Sequence, residues 1–479
     1  MGIDIGTSSV KIVTTDINGN RQGEASLQYP TVTDGDGAEQ NALAWWNAVA
    51  TLAPQVIGPG DIVAAVAVTS QAPTLVPVDE TGTPTMNAVT WLDRRATAEA
   101  IRIAELAPNS RNGADPYFGT AKLPWLAAHH SEALSAAEHV LSANGFIVKQ
   151  LTGVAVLDET TASLMQGFDE ATGQFAERLM AEEPTMALLP PIVSSVSIVG
   201  YVTPQAGEFT GITIGAPVAA GGIDAIGSAL EAGVVAVGDP LVDMTGFSSV
   251  TILAVPHGTR IAGFIHSRHC VPGVDLLITA QVTAGATIDW VNRLDSTTDL
   301  RPGLVSVMRP RPGRITMVPS LAGERTPSWN PRARGIIDGI DLATDGTDLM
   351  LAAMEGNALA MSADVTTLRE HGFVIDRVIS TGGGSTSPTW VQIKSDVLGV
   401  PITKPASGHG AAQGAAALAG MAIGVYNSYD VVKALAGEVE AQYVPNPALT
   451  VAYAGAAARF AEVQRLNASR LALESGLPR

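Results

Sequence analysis

One short motif occurs twice in the chain, and this repetition constrains the fold more than any other feature. The first copy runs from an apolar strand around Asp4, through the turn at residues 6–9, into the β-rich segment 10–13. About half the chain later, a second copy has a strand around Asp243, a turn at residues 245–249 and another β-branched strand. Because a block that recurs at a long period indicates duplicated units, we expect two domains of like topology that meet at a cleft.

The length of the chain supports this division. At 479 residues it exceeds the size at which one hydrophobic core stops growing, so two domains of roughly 200 to 250 residues are expected. Glycines and a proline in residues 233–240 predict a hinge, with a first domain at residues 1–233 and a second at 234–479. Strand-like runs such as 62–69 and 377–380 alternate with Ala-rich helical runs such as 348–368, which indicates α/β architecture.

The composition excludes several classes of protein. A hydrophobic fraction of 46% with 15% charged residues is typical of a well-packed globular enzyme. The net charge of −18 offers no basic surface, so neither nucleic acid nor a membrane is expected as a partner. The single cysteine, Cys270, provides neither an internal disulfide nor a zinc site, and there is no signal-peptide pattern or membrane-length apolar run. We therefore expect a cytoplasmic protein.

The two turns are predicted to bind phosphate groups. Gly, Ser and Thr turns supply backbone N–H groups and hydroxyls at close range, and the candidates are Thr7, Ser8, Ser9, Thr245 and Gly246. An ordinary hairpin explains either turn alone equally well, and the repetition favours phosphate binding. Asp4 directly precedes the first turn and is a candidate for holding Mg²⁺ through water, although a lone strand aspartate is commonly structural.

A glycine-rich segment at residues 382–385 is a second candidate for nucleotide binding. It lies between an apolar strand and a helical run that starts at Pro388, so its backbone can receive a phosphate or a flat ligand at a helix N-terminus. The candidate contacts are Gly383, Gly384 and Ser385. A tight connection between strand and helix explains the same segment equally well. Another small-residue stretch, 408–416, is interpreted as a closely packed helix start.

Asp224 is the candidate catalytic residue. It follows Gly221 and Gly222 and precedes a helical segment, so an N-cap role is the simplest alternative. A carboxylate beside a helix N-terminus is also expected to have a low pKa and to stay ionised at pH 7. Such a group can act as a kinase base, because phosphoryl transfer mainly requires an oriented nucleophile and a proton acceptor.

Polar and aromatic residues of the first half form a candidate sugar site. Aromatic rings stack on the C–H faces of sugars, while amides and charged groups bind hydroxyls. The candidate substrate contacts are Gln71, Ala72, Trp91, Asp93, Arg94 and Asp224. Core tryptophans and solvated charges explain the same residues equally well.

Taken together, these motifs resemble those of the FGGY carbohydrate kinases, and within that family the xylulokinase-like branch. The similarity spans nearly the whole chain. The matching segments are residues 4–9, the W-L-D-R-R stretch at 91–95, the G-G-I-D loop at 221–224, the V-P-S-L-A-G-E-R-T-P block at 318–327, which includes L-A-G-E-R-T-P at 321–327, and the C-terminal signature at 335–355.

The resemblance implies a specific architecture and reaction. It implies two actin-like, ribonuclease H-like domains with an interdomain active-site cleft, ATP with Mg²⁺ in that cleft, and Asp224 as the base. It also implies that Thr245, Gly285 and Gly384 lie near the nucleotide. The leading expectation for the acceptor is D-xylulose, which would give D-xylulose 5-phosphate. Ribulose, other ketoses, polyols and gluconate stay open, because Gln71-Ala72-Pro73 stands where xylulokinases of this branch carry Gln-Met-His.

Two other classes are compatible with parts of the sequence. A catalytically weak sugar- or nucleotide-binding protein on the same fold is one, and the retained Asp4 and Asp224 argue against it. An actin- or chaperone-like ATPase is the other, and it leaves the block at 321–327 unexplained. The expected partners are a small-molecule sugar and ATP, and the sequence leaves assembly as a homodimer open.

Overall fold

The structure is a computed structural model that describes residues 1–294, 309, 311–406, 410–436 and 439–475. Its strands, in chain order, are β1 Gly2–Ile5, β2 Ser9–Thr15, β3 Arg21–Gln28, β4 Val32–Asp34, β5 Gly37–Gln40, β6 Ala67–Ser70, β7 Leu75–Val78, β8 Ala88–Val89, β9 His139–Ser142, β10 Leu157–Asp158, β11 Phe168–Asp169, β12 Gln174–Phe175, β13 Ile192–Val193, β14 Ile198–Tyr201, β15 Pro217–Ala219, β16 Gly222–Ile223, β17 Leu241–Thr245, β18 Ser249–Pro256, β19 Ile265–Arg268, β20 Val274–Gln281, β21 Thr316–Val318, β22 Ile336–Asp338, β23 Val378–Thr381, β24 Ile402–Pro405 and β25 Val439–Tyr443.

Helices lie between and around these strands. The α-helices span Ala42–Val56, Thr97–Leu106, Lys122–His129, Ser131–Ser135, Ala143–Thr152, Glu159–Leu164, Glu177–Glu182, Pro204–Thr210, Asp224–Glu231, Gly285–Leu294, Gly346–Glu370, Pro388–Leu398, Ala411–Ala422, Tyr429–Ala434 and Pro447–Ser475. Short 3-10 helices span Pro116–Phe118, Pro184–Leu188 and Gly383–Thr386.

Two mixed sheets carry the duplicated motif. The first has the order β16-β6-β1-β2-β3, and the second has the order β19-β20-β18-β17-β23-β24-β25. In each sheet, the strand that bears the repeated aspartate is antiparallel to the next strand and parallel to a later one, which is β6 for β1 and β23 for β17. The two sheets therefore share a five-strand core order, and the prediction of two α/β units of like topology is confirmed.

Apolar residues on both faces of each sheet form the cores. In the first unit, Ile3 and Ile5 of β1 are fully buried and pack with Trp45 from the helix Ala42–Val56. In the second unit, the helix Gly346–Glu370 buries Met361 and Val365 in the cluster that contains β17 and β23 residues. Each sheet is thus held between helices, which fixes the ends of its strands in space.

The two units meet along a crossing of two helices. A Cβ atom on Gly414 of the helix Ala411–Ala422 would lie 1.9 Å from the carbonyl oxygen of Gly227, which belongs to the helix Asp224–Glu231. A Cβ on Gly2 would lie 2.0 Å from the Ala412 oxygen. Only glycine permits such backbone approach, so the small-residue stretch is confirmed as a packing surface from residue 410 onward. Gly408 and His409 lie outside the described residues.

The strand expected at residues 62–69 is shorter than its apolar run. β6 begins at Ala67, because the backbone before it bonds elsewhere: the Val63 N–H donates to Thr213 Oγ1 and the Val66 N–H to the Pro217 oxygen.

Among the described residues, no helix combines the length and apolarity needed to cross a bilayer.

Candidate active site

The ends of parallel strands bring Asp4 and Asp224 to one edge of the first sheet. Asp4 on β1 is in register with Thr69 on β6, and Thr69 is in register with Gly222 on β16. Asp224 follows two residues later as the first residue of its helix. Thr69 Oγ1 donates a hydrogen bond of 2.9 Å to Asp4 Oδ1. This edge, at the carboxyl ends of parallel strands, is where open α/β sheets bind ligands.

The pKa of Asp224 differs from the expectation. Burial and the negative charge of Asp4 together raise it to about 7, while the Ala225 N–H and the charge of Arg325 act in the opposite direction. The low pKa expected at a helix N-terminus is therefore wrong, because desolvation and a like charge outweigh the helix. The N-cap alternative is also wrong, since Ile223 occupies the cap position. A carboxylate with this pKa is a competent proton acceptor near neutral pH.

The pKa of Asp4 is also raised. Burial brings it to about 6, while the hydrogen bond from Thr69 and the positive charge of Lys11 act in the opposite direction. Asp4 retains some surface exposure, as does Asp224. Both residues are therefore partly accessible, while burial removes much of the water around their carboxyl groups.

The first turn follows β1, the strand that carries Asp4, and places Thr7 in contact with Trp91. The turn is closed by a hydrogen bond from the Gly6 N–H to the Ser9 oxygen at 2.9 Å. Thr7 Oγ1 accepts a hydrogen bond of 3.1 Å from Trp91 Nε1. Ser8 is exposed at the tip, and Ser9 begins β2. Phosphate binding by these three residues stays a prediction, and the turn geometry leaves the Ser8 hydroxyl free of the core.

A buried amide chain connects Gln71 to this turn. Gln71 Nε2 donates to Gln40 Oε1 at 2.6 Å, and Gln40 Nε2 donates to the Thr7 oxygen at 2.8 Å. Gln71 is 1% exposed, and its Oε1 lacks a hydrogen-bond partner among the described residues. Ala72 follows, 8% exposed. Gln71 thus presents one unsatisfied acceptor beside the cleft.

The residues predicted to contact the nucleotide converge on the second turn. The Gly285 N–H donates to the Gly246 oxygen at 3.0 Å, and a Cβ on Gly285 would lie 2.4 Å from the same oxygen. A Cβ on Gly384 would lie 2.5 Å from Thr245 Cγ2, whereas a Cβ on Gly246 or Gly383 would meet nothing within 4 Å. The glycines therefore allow close packing at two positions and leave open backbone at the other two, as a phosphate cradle requires.

Two predicted contacts lie in supporting positions. Ser385 Oγ donates to the Gly382 oxygen at 2.7 Å, which uses its hydroxyl inside the loop. Asp93 has no exposed surface, and its carboxylate accepts from the Ala38 N–H at 2.9 Å and from Arg95 Nε at 2.8 Å. Direct ligand contact by these residues stays a prediction, and this geometry favours an indirect role.

A cluster of aromatic and cationic side chains lies beside Asp224. The Arg325 guanidinium is 4.2 Å from the centre of the Trp91 ring and 5.4 Å from that of Tyr117. Tyr117 also lies 5.7 Å from the Trp329 ring. The charge of Asp224 acts to raise the pKa of both Tyr117 and Arg325, so the carboxyl group lies within electrostatic range of the cluster. The cluster combines segments from both halves of the chain.

Neither Tyr117 nor Arg325 was among the predicted site residues. Arg325 lies in the block at 321–327 that carried the family resemblance, so that block was an available signal. Tyr117 is positioned indirectly: Arg94 forms two hydrogen bonds of 2.6 Å to the Asp115 carboxylate, which in turn accepts from the Tyr117 N–H at 2.8 Å. Arg94 therefore orients the segment that carries Tyr117.

Comparison with known proteins identifies the class. The model of the FGGY family of carbohydrate kinases, N-terminal domain, matches residues 1–230, and the model of the C-terminal domain of that family matches residues 245–423. The chain belongs to the FGGY family and is a sugar kinase, for which the family implies ATP as the co-substrate. The boundary between residues 233 and 234 stays a prediction.

Individual relatives of similar identity are kinases of different acceptors, so they do not identify the acceptor of this chain. A xylulose kinase of Bacillus subtilis (strain 168) is 27% identical over 447 residues, covering 90% of this chain and 89% of the relative. A glycerol kinase of Acidovorax sp. (strain JS42) is 28% identical over 492 residues, covering 93% and 94%. The crystal structure of xylulose kinase from Rhodospirillum rubrum matches with a TM-score of 0.86 at 25% identity, covering 97% of this chain and 98% of that one. The two-domain kinase fold is thereby confirmed.

Proposed function

We propose that this sugar kinase phosphorylates D-xylulose to D-xylulose 5-phosphate, with Asp224 as the base. The observation that carries the proposal is the Asp224 carboxyl group, with a pKa of about 7, beside Asp4 and the Trp91, Tyr117 and Arg325 cluster. In the reaction, Asp224 accepts the proton of a sugar hydroxyl while the oxygen of that hydroxyl forms a bond to the γ-phosphorus of ATP. The bond from that phosphorus to the bridging oxygen breaks, and ADP leaves.

The residues present fit ATP and Mg²⁺. Asp4 is a partly exposed carboxyl group whose pKa is raised by burial, so a cation that replaces the lost hydration stabilises its ionised form. Asp4 would hold Mg²⁺ through water, and the ion would neutralise charge on the phosphate oxygens. Gly246 and Gly383 offer open backbone for the phosphates, and Thr7, Ser8 and Ser9 of the first turn would supply further donors to them.

Unsatisfied polar atoms at the cleft fit a polyhydroxylated acceptor. Arg325 Nη2 is a buried donor and Gln71 Oε1 a buried acceptor, and neither has a hydrogen-bond partner in the part of the chain that the structure describes. A buried polar atom without a partner is unfavourable, so hydroxyls of a bound sugar would stabilise both. Trp91 and Tyr117 supply the apolar surface for its C–H face.

The choice of D-xylulose is supported by the names of relatives, and polyols are the second candidate. The Bacillus subtilis relative is a xylulose kinase, whereas the Acidovorax relative of similar identity is a glycerol kinase. Gln71-Ala72-Pro73 lacks the Met-His pair of the xylulokinase-like branch, which keeps other ketoses, polyols and gluconate in competition. A cytoplasmic location and a homodimer stay predictions.

A coupled ADP-release assay over about twenty ketoses, aldoses, polyols and sugar acids tests the acceptor, because hydroxyl recognition can discriminate analogues by several orders of magnitude. The expected result is the highest kcat/KM with D-xylulose. A higher kcat/KM with glycerol or gluconate would contradict the proposed acceptor and leave the kinase assignment intact.

Asp224→Asn tests the base. The variant keeps the shape of the side chain and loses its ability to accept a proton, so kcat should fall by roughly 10²- to 10⁴-fold. ATP binding, measured by calorimetry without sugar, should stay near that of the parent. Turnover within tenfold of the parent would eliminate Asp224 as the base.

A further inference from the structure

The loop that carries Asp224 lies tightly over one threonine of another segment. Gly221 has φ +75°, and a Cβ there would lie 1.8 Å from the Val68 oxygen. A Cβ on Gly222 would lie 2.6 Å from Thr160 Oγ1. The Ile223 N–H, directly before Asp224, donates a hydrogen bond of 3.1 Å to that same oxygen. The Thr160 hydroxyl therefore contacts the loop at the Gly222–Ile223 peptide, one residue before the base.

The orientation of this hydroxyl is set by a buried carboxylate. Thr160 Oγ1 donates its hydrogen to Asp158 Oδ1, so a lone pair is left to accept from the Ile223 N–H. Asp158 also accepts from the Thr160 N–H at 3.0 Å, the Thr161 N–H at 2.8 Å and Asn144 Nδ2 at 3.0 Å. These donors satisfy a carboxylate that is 1% exposed, and hydrogen bonds to a charged group are the stronger kind.

The same network holds the start of the loop. Asn144 Nδ2 donates to the Ala220 oxygen at 3.2 Å as well as to Asp158. Asn144 is fixed in turn by Ser70, whose Oγ accepts from the Asn144 N–H at 3.0 Å. Both ends of the loop, the Ala220 oxygen and the Ile223 N–H, are thus tied to one buried group.

The second domain anchors the threonine from the other side. Ser267 Oγ on β19 donates to the Thr160 oxygen at 3.1 Å, and the Arg268 N–H donates to Ser163 Oγ at 2.7 Å. The helix Glu159–Leu164 is therefore clamped between the catalytic loop and the second sheet. Thr160 has no exposed surface, so its hydroxyl does not contact bulk solvent.

We infer that Thr160 is a positioning residue for the base: its hydroxyl, oriented by Asp158, holds the Gly222–Ile223 peptide and through it sets the position of Asp224 relative to the acceptor hydroxyl. This inference rests on the proposed role of Asp224. Thr160 does not touch the substrate. It acts on the placement of the carboxylate, so its loss reduces kcat and leaves the binding of sugar and ATP unchanged.

The adjacent Thr161 provides a matched control. It is also fully buried on the same helix, and its Oγ1 has no hydrogen-bond partner among the described residues. Replacing either threonine by valine exchanges a hydroxyl for a methyl group of similar shape. Where the hydroxyl has no partner, that exchange is neutral or stabilising, whereas at position 160 it leaves the Ile223 N–H unpaired.

The experiment compares Thr160→Val, Thr160→Ser and Thr161→Val in the full chain with the best acceptor of the parent. Thr160→Val should lower kcat roughly 10- to 100-fold, since small displacements of a catalytic group have effects of this size, with both KM values unchanged. Thr160→Ser should recover most of the loss, and Thr161→Val should match the parent. Should Thr160→Val fail to fold, Thr160→Ala replaces it with the same expectation.

Several results would overturn the inference. Parental kcat in Thr160→Val, an equal loss in Thr160→Ser, or an equal loss in Thr161→Val would each show that the hydroxyl at position 160 does not position the base. If Asp224→Asn is inactive while Thr160→Val retains parental kcat, the inference alone fails. A parent without turnover on any acceptor, or an active Asp224→Asn variant, overturns both the proposed function and the inference.

Discussion

Asp4 and Asp243 occupy the same place in the two sheets, and they meet different surroundings there. Each lies on the strand between its antiparallel hairpin partner and its parallel neighbour. On each parallel neighbour, the residue in register carries a side-chain hydroxyl that donates to the carboxylate. Thr69 donates to Asp4 at 2.9 Å, and Ser380 donates to Asp243 at 3.0 Å. The duplicated scaffold therefore preserves a hydrogen-bonded aspartate in both halves.

The difference is a lysine. Lys394 Nζ lies 2.7 Å from Asp243 Oδ2 and 2.6 Å from Thr245 Oγ1, and both charged groups are essentially inaccessible to solvent. Asp4 receives the neutral Thr69 hydroxyl and the field of Lys11, which also pairs with Glu24 at 3.5 Å. In the second copy, Lys394 thus neutralises the charge of Asp243, and the ion pair supports the second turn. The first copy keeps a carboxyl group of raised pKa at the open cleft.

Removing the lysine should have the largest effect on stability. Lys394→Met leaves the buried Asp243 charge without its partner, and the free energy of unfolding should fall by about 3–5 kcal/mol. The measurement is urea unfolding followed by circular dichroism. The double variant Asp243→Asn/Lys394→Met should regain most of the loss, because no charge is then left buried. Parental stability in Lys394→Met would remove the contrast between the two copies.

Asp4→Asn should show the opposite pattern. Because burial disfavours the charged form of Asp4, the neutral amide should not lower the stability of the fold. Activity should fall roughly 10- to 100-fold in kcat/KM, as expected for a group that orients a metal through water. A 100-fold loss corresponds to about 2.7 kcal/mol, which is less than the effect of Lys394→Met.

The control for Asp4→Asn is Asp376→Asn, which changes an exposed carboxylate with the same loss of charge. This variant should have parental kcat/KM at every Mg²⁺ concentration. For Asp4→Asn, additional Mg²⁺ should recover part of the activity. A variant at position 4 that turns over as fast as the control would show that Asp4 is as structural as Asp243.

Local patterns predicted the duplicated part of the fold well. Hairpins depend on residues close in sequence, so the Asp4 and Asp243 blocks were enough to predict one hairpin in each unit, without knowledge of the other strands that pair with it. The strand at residues 62–69 was predicted too long, because contacts with residues 213 and 217, far along the chain, decide where β6 begins. The partnership of Asp243 with Lys394 follows from a helix distant in sequence, and no local pattern indicates it.

The candidate site was predictable only in part. Asp4 and Asp224 were found from their turns and glycines, and Gly285 was assigned by family resemblance alone. Arg325 and Tyr117 were missed, since they approach Asp224 only through contacts between segments that are distant in the sequence. The pKa of Asp224 was wrongly predicted for the same reason: the burial and the Asp4 charge that raise it exist only in the folded molecule.

The pH dependence gives the smallest effect and the closest test of the comparison. The base must be ionised, so kcat/KM should rise with pH through the Asp224 pKa of about 7. Asp4, which raises this pKa, and Arg325, which lowers it, are charged groups that act on Asp224. Asp4→Asn removes the like charge, so the acidic limb should move to lower pH, where a shift of one pH unit equals about 1.4 kcal/mol. Asp243→Asn should leave the limb in place, because burial, Asp4 and Arg325 are the main influences on the pKa of Asp224.

The stability of the fold should follow the same group in the opposite sense. The pKa of Asp224 is raised from 3.8 to about 7 in the folded state, so its contribution is fully present below pH 4 and is lost as the pH rises through 7. Asp224→Asn should therefore weaken the decline in unfolding free energy over this range. A parental decline in Asp224→Asn, together with an acidic limb that stays at the same pH in Asp4→Asn, would mean that the two carboxyl groups are not coupled. The contrast between Asp4 and Asp243 would then be one of burial alone.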